Sequence, residues 1–397
     1  MSCRSRPLVA LVSLLAVCAG LSGGCAERSY TELHYDALVA DMHSDVALRM
    51  VDGFDFSRRD SIGHIDLPRL AEGGVDLQVF ACYLDTKTAR DSCRARIDLL
   101  LDTLDAQIGR NRDRIEVCRT AREAERIMGD GRVAAFLAIE NGVAIAGDLG
   151  NLDHFYARGV RYLTLTHTKS SDWCVSSADT APAFAGLTDF GREVIRRMNK
   201  LGMIVDISHA APSVVSQVLE VSADPVIASH SCVHAICPHD RNLTDDQIRA
   251  IADKGGVIGI NFYNQYLSRS WDSAAVPLWQ EYDPKFAALD SLYPDATERK
   301  TARRSLDIEF DERLRGYAVN VDSVVSHIDH IVKLVGTDHV GLGSDYDGVF
   351  NLPAGLSDCS QLPNLTRTLV ERGYSEVSIR KILGGNFMRV FRQVCDR

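Results

Sequence analysis

Val133-Ala134-Ala135-Phe136-Leu137-Ala138-Ile139-Glu140 is an unbroken apolar run closed by one carboxylate. A stretch with no polar alternation is what a parallel strand buried on both faces requires. A carboxylate at its end is expensive to bury unless a cation or a donor meets it. Seven more runs read as strands on the same grounds: Ala37–Met42, Val75–Tyr83, Val160–Thr166, Met203–Ile207, Pro225–Ser229, Val257–Phe262 and Val340–Ser344. Between them lie helical signatures. Ile97, Leu100, Leu101, Leu104 and Ile108 form one apolar stripe, and Val321, Val324, Val325, Ile328, Ile331 and Val332 another; Thr244 to Gln247 has capping-box spacing. Eight strands alternating with helices predict an α/β fold, a (β/α)8 barrel of the TIM type. No Gly-rich phosphate fingerprint follows the first strand, which argues against an open doubly wound sheet. Ser268 to Gly316 breaks the rhythm between strands 7 and 8 and reads as a partly helical insertion on the active rim.

In such barrels the reacting groups stand at the C-terminal ends of the strands. The polar terminators here are His43 with Asp45, Glu140, His167, His209, His230 and Asp345. Two positions apart on an extended backbone, His43 and Asp45 project to one face and can share a cation. Glu140 has two oxygens and can bridge two metals. His209 and His230 stand about one strand-plus-helix unit apart, so adjacent strands would bring them side by side. His167 offers either a further metal ligand or an imidazole for the charge that develops on a carbonyl oxygen, and Asp345 a proton relay. Arg241, in the loop after His230, suits a bidentate grip on a carboxylate. His234 and His239, in the same loop, read as bystanders. The constellation implies a metal-dependent hydrolase.

The chain has 397 residues, 46% of them hydrophobic, enough for one large barrel, and a formal charge of -10. No basic run with interleaved aromatics is present, which excludes nucleic acid as a partner. Arg4 and Arg6 precede an apolar stretch from Leu8 to Gly20, and Ser22, Gly23 and Gly24 lead to Cys25. Residues 1–24 therefore read as a signal peptide of the lipoprotein type with Cys25 lipidated, although Leu21 lies one place upstream of the usual pattern. Residues 25–36 follow as a linker and 37–397 as a single domain. The expected location is the bacterial periplasm or cell envelope, with the protein exported and membrane-anchored. Eight cysteines remain for the folded part, and the absence of a CxxC pair leaves a thiolate zinc site without support.

Asp41-Met42-His43-Ser44-Asp45, Ile139-Glu140-Asn141-Gly142, Arg161 to His167, Asp206-Ile207-Ser208-His209, Ser229-His230-Ser231, Arg241-Asn242, Asn261-Phe262-Tyr263 and Gly343 to Gly348 resemble, in order, motifs of the membrane (renal) dipeptidase family of zinc peptidases. The likeness runs from about Ala37 to near the C-terminus. It implies two zinc ions per subunit, with His43 and Asp45 on one, His209 and His230 on the other, and Glu140 bridging. It also implies a hydroxide between the ions as nucleophile, His167 on the substrate carbonyl, Arg241 on the substrate carboxylate, Asp345 handling the proton, a dipeptide substrate and a homodimer.

The family's mammalian members pair cysteines near strands 2 and 4. Cys82 matches the first place, but Lys169 stands at the second; Cys237 matches another bridging position whose partner is Arg269 here. Cys82 with Cys174 stays open as a pairing. Isoleucine-Glu-Asn-Gly replaces the more familiar Glu-Gly-Gly beside the bridge. Two other readings keep the barrel: an N-acyl amino acid hydrolase, lactonase or deaminase of the wider amidohydrolase type, and a lipid-anchored binding protein without turnover.

Overall fold

The computed structural model describes residues 29–317 and 319–397; the expected signal segment and Cys25 lie outside the described residues. The strands are β1 (Ala40–Asp41), β2 (Leu77–Tyr83), β3 (Ile115–Cys118), β4 (Val133–Glu140), β5 (Val160–Thr164), β6 (Ile204–Asp206), β7 (Ile227–Ala228), β8 (Val257–Ile260) and β9 (Val340–Leu342). All pairings are parallel, in the order β2-β1-β9-β8-β7-β6-β5-β4, and β2 pairs back to β4 to close an eight-stranded barrel.

β3 was not expected. It lies beside the first half of β4, Ile115 opposite Val133 and Cys118 opposite Phe136, and β5 takes the second half, where the register shifts at Leu137/Ala138. Its two middle residues are half-buried. A four-residue edge strand of that kind lacks the continuous apolar run that marks the barrel strands.

Alternation along β4 divides the core. Ala135, Leu137 and Ile139 face the surrounding helices, and Ala134, Phe136 and Ala138 face the barrel interior. By the same parity Glu140 is an interior residue at the C-terminal end. The interior is filled by Met42, Val79, Phe136, Tyr162, Ile204 and Val257, and is continued by Phe387, Phe391 and Val394 of the helix Asn386–Cys395. The predicted stripe on the helix Cys93–Arg110 is buried throughout, and Thr244 with Gln247 forms the predicted capping box.

The insertion between the seventh and eighth barrel strands is a pair of helices, Arg269–Leu292 and Ala296–Leu314. Trp271 meets Tyr263 just beyond β8, and Trp279 and Phe310 meet Phe350 in the segment after β9. This seats the pair on the C-terminal rim.

One expectation is corrected, and one open question is answered. The segment read as a linker carries a helix, Tyr30–Asp36, started by a capping box at Ser29. It is docked because Leu33 is buried and His34 bonds Thr366 and the carbonyl oxygen of Gly73. The Cys82–Cys174 pairing does not form: all eight cysteines among the described residues are free and buried. Burial pushes both of these thiols up, which leaves them unreactive. No helix among the described residues is long and apolar enough to cross a membrane.

Candidate metal centre

Every barrel strand but β2 hands over to a polar residue at the C-terminal rim, and those residues meet around Glu140. Glu140 Oε1 lies 3.1 Å from Nε2 of His209, 3.4 Å from Nε2 of His230 and 4.0 Å from Nε2 of His167, while Oε2 lies 3.6 Å from Nε2 of His43. One carboxylate thus turns its two oxygens to different imidazoles. Asp45 joins from the far side, its Oδ2 3.7 Å from Nε2 of His43. It gets there as the N-cap of the helix Val46–Val51, not on an extended backbone as expected.

His209 and His230, just beyond the adjacent strands β6 and β7, bring their Nε2 atoms within 2.9 Å. The ring of His230 is also 3.9 Å from that of His43, nearer than the 5.0 Å to His209. Three trios of possible ligands therefore overlap: His43, Glu140 and His230; Glu140, His167 and His209; His43, Asp45 and Asp345.

Hydrogen bonds behind the ring set the tautomers. Tyr162 Oη lies 2.8 Å from Nδ1 of His43 and donates to the carbonyl oxygen of Met42, so in the neutral ring Nδ1 carries the proton and Nε2 is the atom left for a metal. Ser229 Oγ lies 2.8 Å from Nδ1 of His230 and donates to Oδ2 of Asp206, with the same result. Asp206 is held by Thr164 Oγ1 and by the backbone N–H groups of Ser208 and Ser229. Orienting partners of this kind are typical of metal-binding histidines. Tyr162, Ser229 and Asp206 stand inside motifs quoted from the sequence, but none was given a role there.

Burial pushes His209 and His230 well below the ordinary imidazole value, so both are neutral donors. Burial lowers His167 as well. Burial would raise Glu140, but His43, His167 and His209 hold it well below the usual carboxylate range. Burial likewise opposes the charge on His43, yet Tyr162, Glu140 and Asp45 keep its pKa well above the ordinary value. Asp345 is pushed up to about 6, chiefly by burial and then by neighbouring charges, and its Oδ2 accepts a bond from Asn261 Nδ2 at 2.9 Å.

His43 Nε2 and Asp45 Oδ1 are buried with no hydrogen-bond partner. Neutral His209 and His230, buried carboxylates and orphaned polar atoms at one point are the donor set that divalent cations take, and a cation would displace the proton that His43 holds. The residues fit a metal centre.

Backbone strain gathers at the same rim. Of five non-glycine residues with positive φ among the described residues, His209 (66°) and Asp345 (63°) belong to the cluster, and Asn141 (88°) and Asp347 (66°) adjoin it. Asn141 stands in a conformation that favours glycine, and its side chain donates to the carbonyl oxygen of Leu84 and to Thr86. The substituted position beside Glu140 thus ties down the loop after β2. Arg241 is 4% exposed; it donates to the carbonyl oxygen of His230 and stands 5.4 Å over the Tyr266 ring. Its backbone N–H donates to His239, one of the histidines taken as bystanders.

Barrel and cluster together define a metal-dependent hydrolase with its reacting groups on the C-terminal rim. The chain belongs to the membrane dipeptidase family, peptidase family M19, whose sequence profile matches residues 27–396, and it is accordingly a metallo-dipeptidase acting on peptide bonds. It is similar to the probable dipeptidase PvdM from Pseudomonas aeruginosa, at 26% identity and a TM-score of 0.76, over 92% of this chain and 98% of that one. It is also similar to the metallopeptidase dipeptidase AC, at 27% identity and a TM-score of 0.75, over 91% and 99%. A metallopeptidase from Rhodobacter sphaeroides liganded with a phosphinate mimic of the dipeptide L-Ala-D-Ala matches at 26% identity and a TM-score of 0.73, over 90% and 99%.

Proposed function

We propose that this protein is a zinc dipeptidase that recognises the free carboxylate of its substrate, with two ions held by His43, Asp45, His209 and His230 and shared through Glu140. The observation that carries the reading is the central position of Glu140, whose two oxygens face different histidines. Two bound zinc ions would supply an acidified water as nucleophile and a Lewis acid for the scissile carbonyl.

The side chains do the rest. His167 stands at the edge of the cluster with its ring 4.2 Å from His209 and its side chain 21% exposed, so a substrate carbonyl oxygen can reach it from solvent. Asp345, with its pKa raised toward neutrality, is suited to take the proton of the attacking water and give it to the departing amine. Arg241, buried with only neutral partners, is suited to the substrate carboxylate. The phosphinate mimic of L-Ala-D-Ala bound to the Rhodobacter relative makes that dipeptide the first to assay.

Export with a lipid anchor at Cys25 belongs to the same proposal, supported by the order Arg4, Arg6, apolar stretch, small residues, cysteine. So does a homodimer, which the family resemblance supports.

The test is a panel of dipeptides, N-acyl amino acids and lactones with zinc present. Dipeptides should dominate, and Arg241→Ala should raise KM for them at least ten-fold with metal content unchanged. Equal loss of metal and of substrate binding, or a preference for lactones, would refute the assignment.

A further inference from the structure

Asp347 stands two residues beyond Asp345 with its side chain 2% exposed, yet nothing in the chemistry above uses it. A buried carboxylate needs partners. Both of its oxygens face Nη1 of Arg49, at 3.3 and 3.2 Å, and Oδ1 also accepts the N–H of His64 at 2.9 Å. His64 returns a bond, for its Nδ1 accepts the N–H of Asp347 at 3.0 Å. That bond leaves the ring proton on Nε2, and burial pushes the His64 pKa down, so the ring is neutral and Arg49 supplies the charge that matches the carboxylate.

Arg49 belongs to the helix Val46–Val51, one turn beyond Asp45 at its N-cap. Its Nη2 reaches Asp60, and the guanidinium lies 4.0 Å over the ring of Phe54, so Arg49 is itself held in place. Gly63 makes room for it, because a Cβ there would overlap the guanidinium. The ion pair therefore joins the segment that carries Asp45 to the segment that carries Asp345.

Those two segments need joining. Carboxylate oxygens of Asp45 and Asp345 lie within 4.8 Å of each other, close enough to repel. Asp345 and Asp347 both hold positive φ, 63° and 66°, on either side of Tyr346, a conformation that a residue with a Cβ keeps only where its surroundings impose it. At the Asp345 end Asn261 holds the side chain. At the Asp347 end the imposing contacts are those from Arg49 and His64. Released from them, the turn can relax to negative φ and carry Asp345 away from the reacting atoms.

We propose that Asp347 is a positioning residue: gripped by Arg49 and His64, its carboxylate holds the left-handed turn that aims Asp345 at the departing nitrogen of the substrate. The inference rests on the proton-transfer reading of Asp345 above and adds the contacts that keep that carboxylate in place.

The experiment uses the zinc-loaded full chain and compares L-Ala-D-Ala with its ester counterpart, L-Ala-D-lactate. An amide must have its departing nitrogen protonated, whereas an alkoxide leaves with less help, so the amide-to-ester ratio of kcat reads proton delivery and does not depend on the fraction of enzyme that is folded. Asp345→Asn sets the size of the full effect. Because misplacing a reacting group by about 1 Å can cost about 100-fold, Asp347→Asn and Arg49→Met should each lower the ratio about ten-fold, with KM for the dipeptide changed less than about two-fold and metal content unchanged. The double variant should be no slower than the slower single one, and the melting temperatures should show the same non-additivity without any turnover, because both substitutions cut one connection. Equal loss on amide and ester, independent effects in the double variant, or a ratio that stays at the parent value overturns the inference. If Asp345→Asn lowers the ratio and Asp347→Asn does not, the inference falls and the proton-transfer reading stands; if Asp345→Asn leaves it unchanged, both fall. With a parent that cleaves no ester, the double variant decides alone, and losses in kcat that multiply overturn the inference.

Discussion

Ser229→Ala removes one oxygen atom from the wall behind the metal centre, and its consequence can be worked through partner by partner. Asp206 loses the Ser229 hydroxyl but keeps Thr164 Oγ1 and two backbone N–H groups, so its carboxylate stays satisfied. Ser208 Oγ, 3.3 Å from the lost hydroxyl, keeps the N–H of His230, and the ring nitrogen left without a partner is Nδ1 of His230, which had only this hydroxyl at 2.8 Å. Without metal the imidazole can move its proton to Nε2 and donate to Glu140, 3.4 Å away. With metal bound at Nε2 the proton must sit on Nδ1, buried and unpaired. The penalty therefore falls on the loaded state, about 1–3 kcal/mol, or roughly 10- to 100-fold in metal affinity. Competition with a fluorescent chelator measures it directly, and the melting temperature of the stripped protein should move little. Unchanged metal affinity with a destabilised stripped protein would refute the tautomer argument.

Gly348 allows no side chain, because a Cβ there would overlap both Asp45 Oδ2 and Asp345 Oδ1; Gly348→Ala should cost about 100-fold or more in kcat/KM and lower metal content, with the cooperative melt preserved. His327, fully buried, accepts from the N–H of Val233 and donates to the carbonyl oxygen of Leu267, and burial pushes its pKa down to about 4. The folded state holds it neutral, so this contribution to stability is complete above pH 6.5 and is lost as the pH falls toward 4, by about 3 kcal/mol in all. Urea titrations at pH 7.5 and 4.5 should show that loss in the parent and a smaller one in His327→Gln; equal losses would dismiss the assignment.

The barrel was readable because strands buried on both faces must be continuously apolar, and Glu140 was conspicuous because nothing else in its run is charged. The other chemistry-bearing residues could be found by asking what ends each strand. That question cannot find Tyr162 or Asp206, which sit inside apolar runs and act on the histidines from below. Asp45 reaches the cluster from the N-cap position of a helix, and spacing by two had pointed to the right partner through the wrong backbone. The short edge strand β3 and the docked helix Tyr30–Asp36 escaped for a common reason: each is held by contacts distant in sequence and has too few apolar residues to announce itself.

Counting bound metal per chain tests the central claim most directly, namely that Glu140 sits between two cations. Purified protein assayed by elemental mass spectrometry should carry two zinc equivalents, lose dipeptidase activity with them on chelation and regain it on their return, while Glu140→Gln should retain less than two and turn over no dipeptide. A parent protein that is fully active with no metal, or a Glu140→Gln variant with full metal and full activity, would contradict the account.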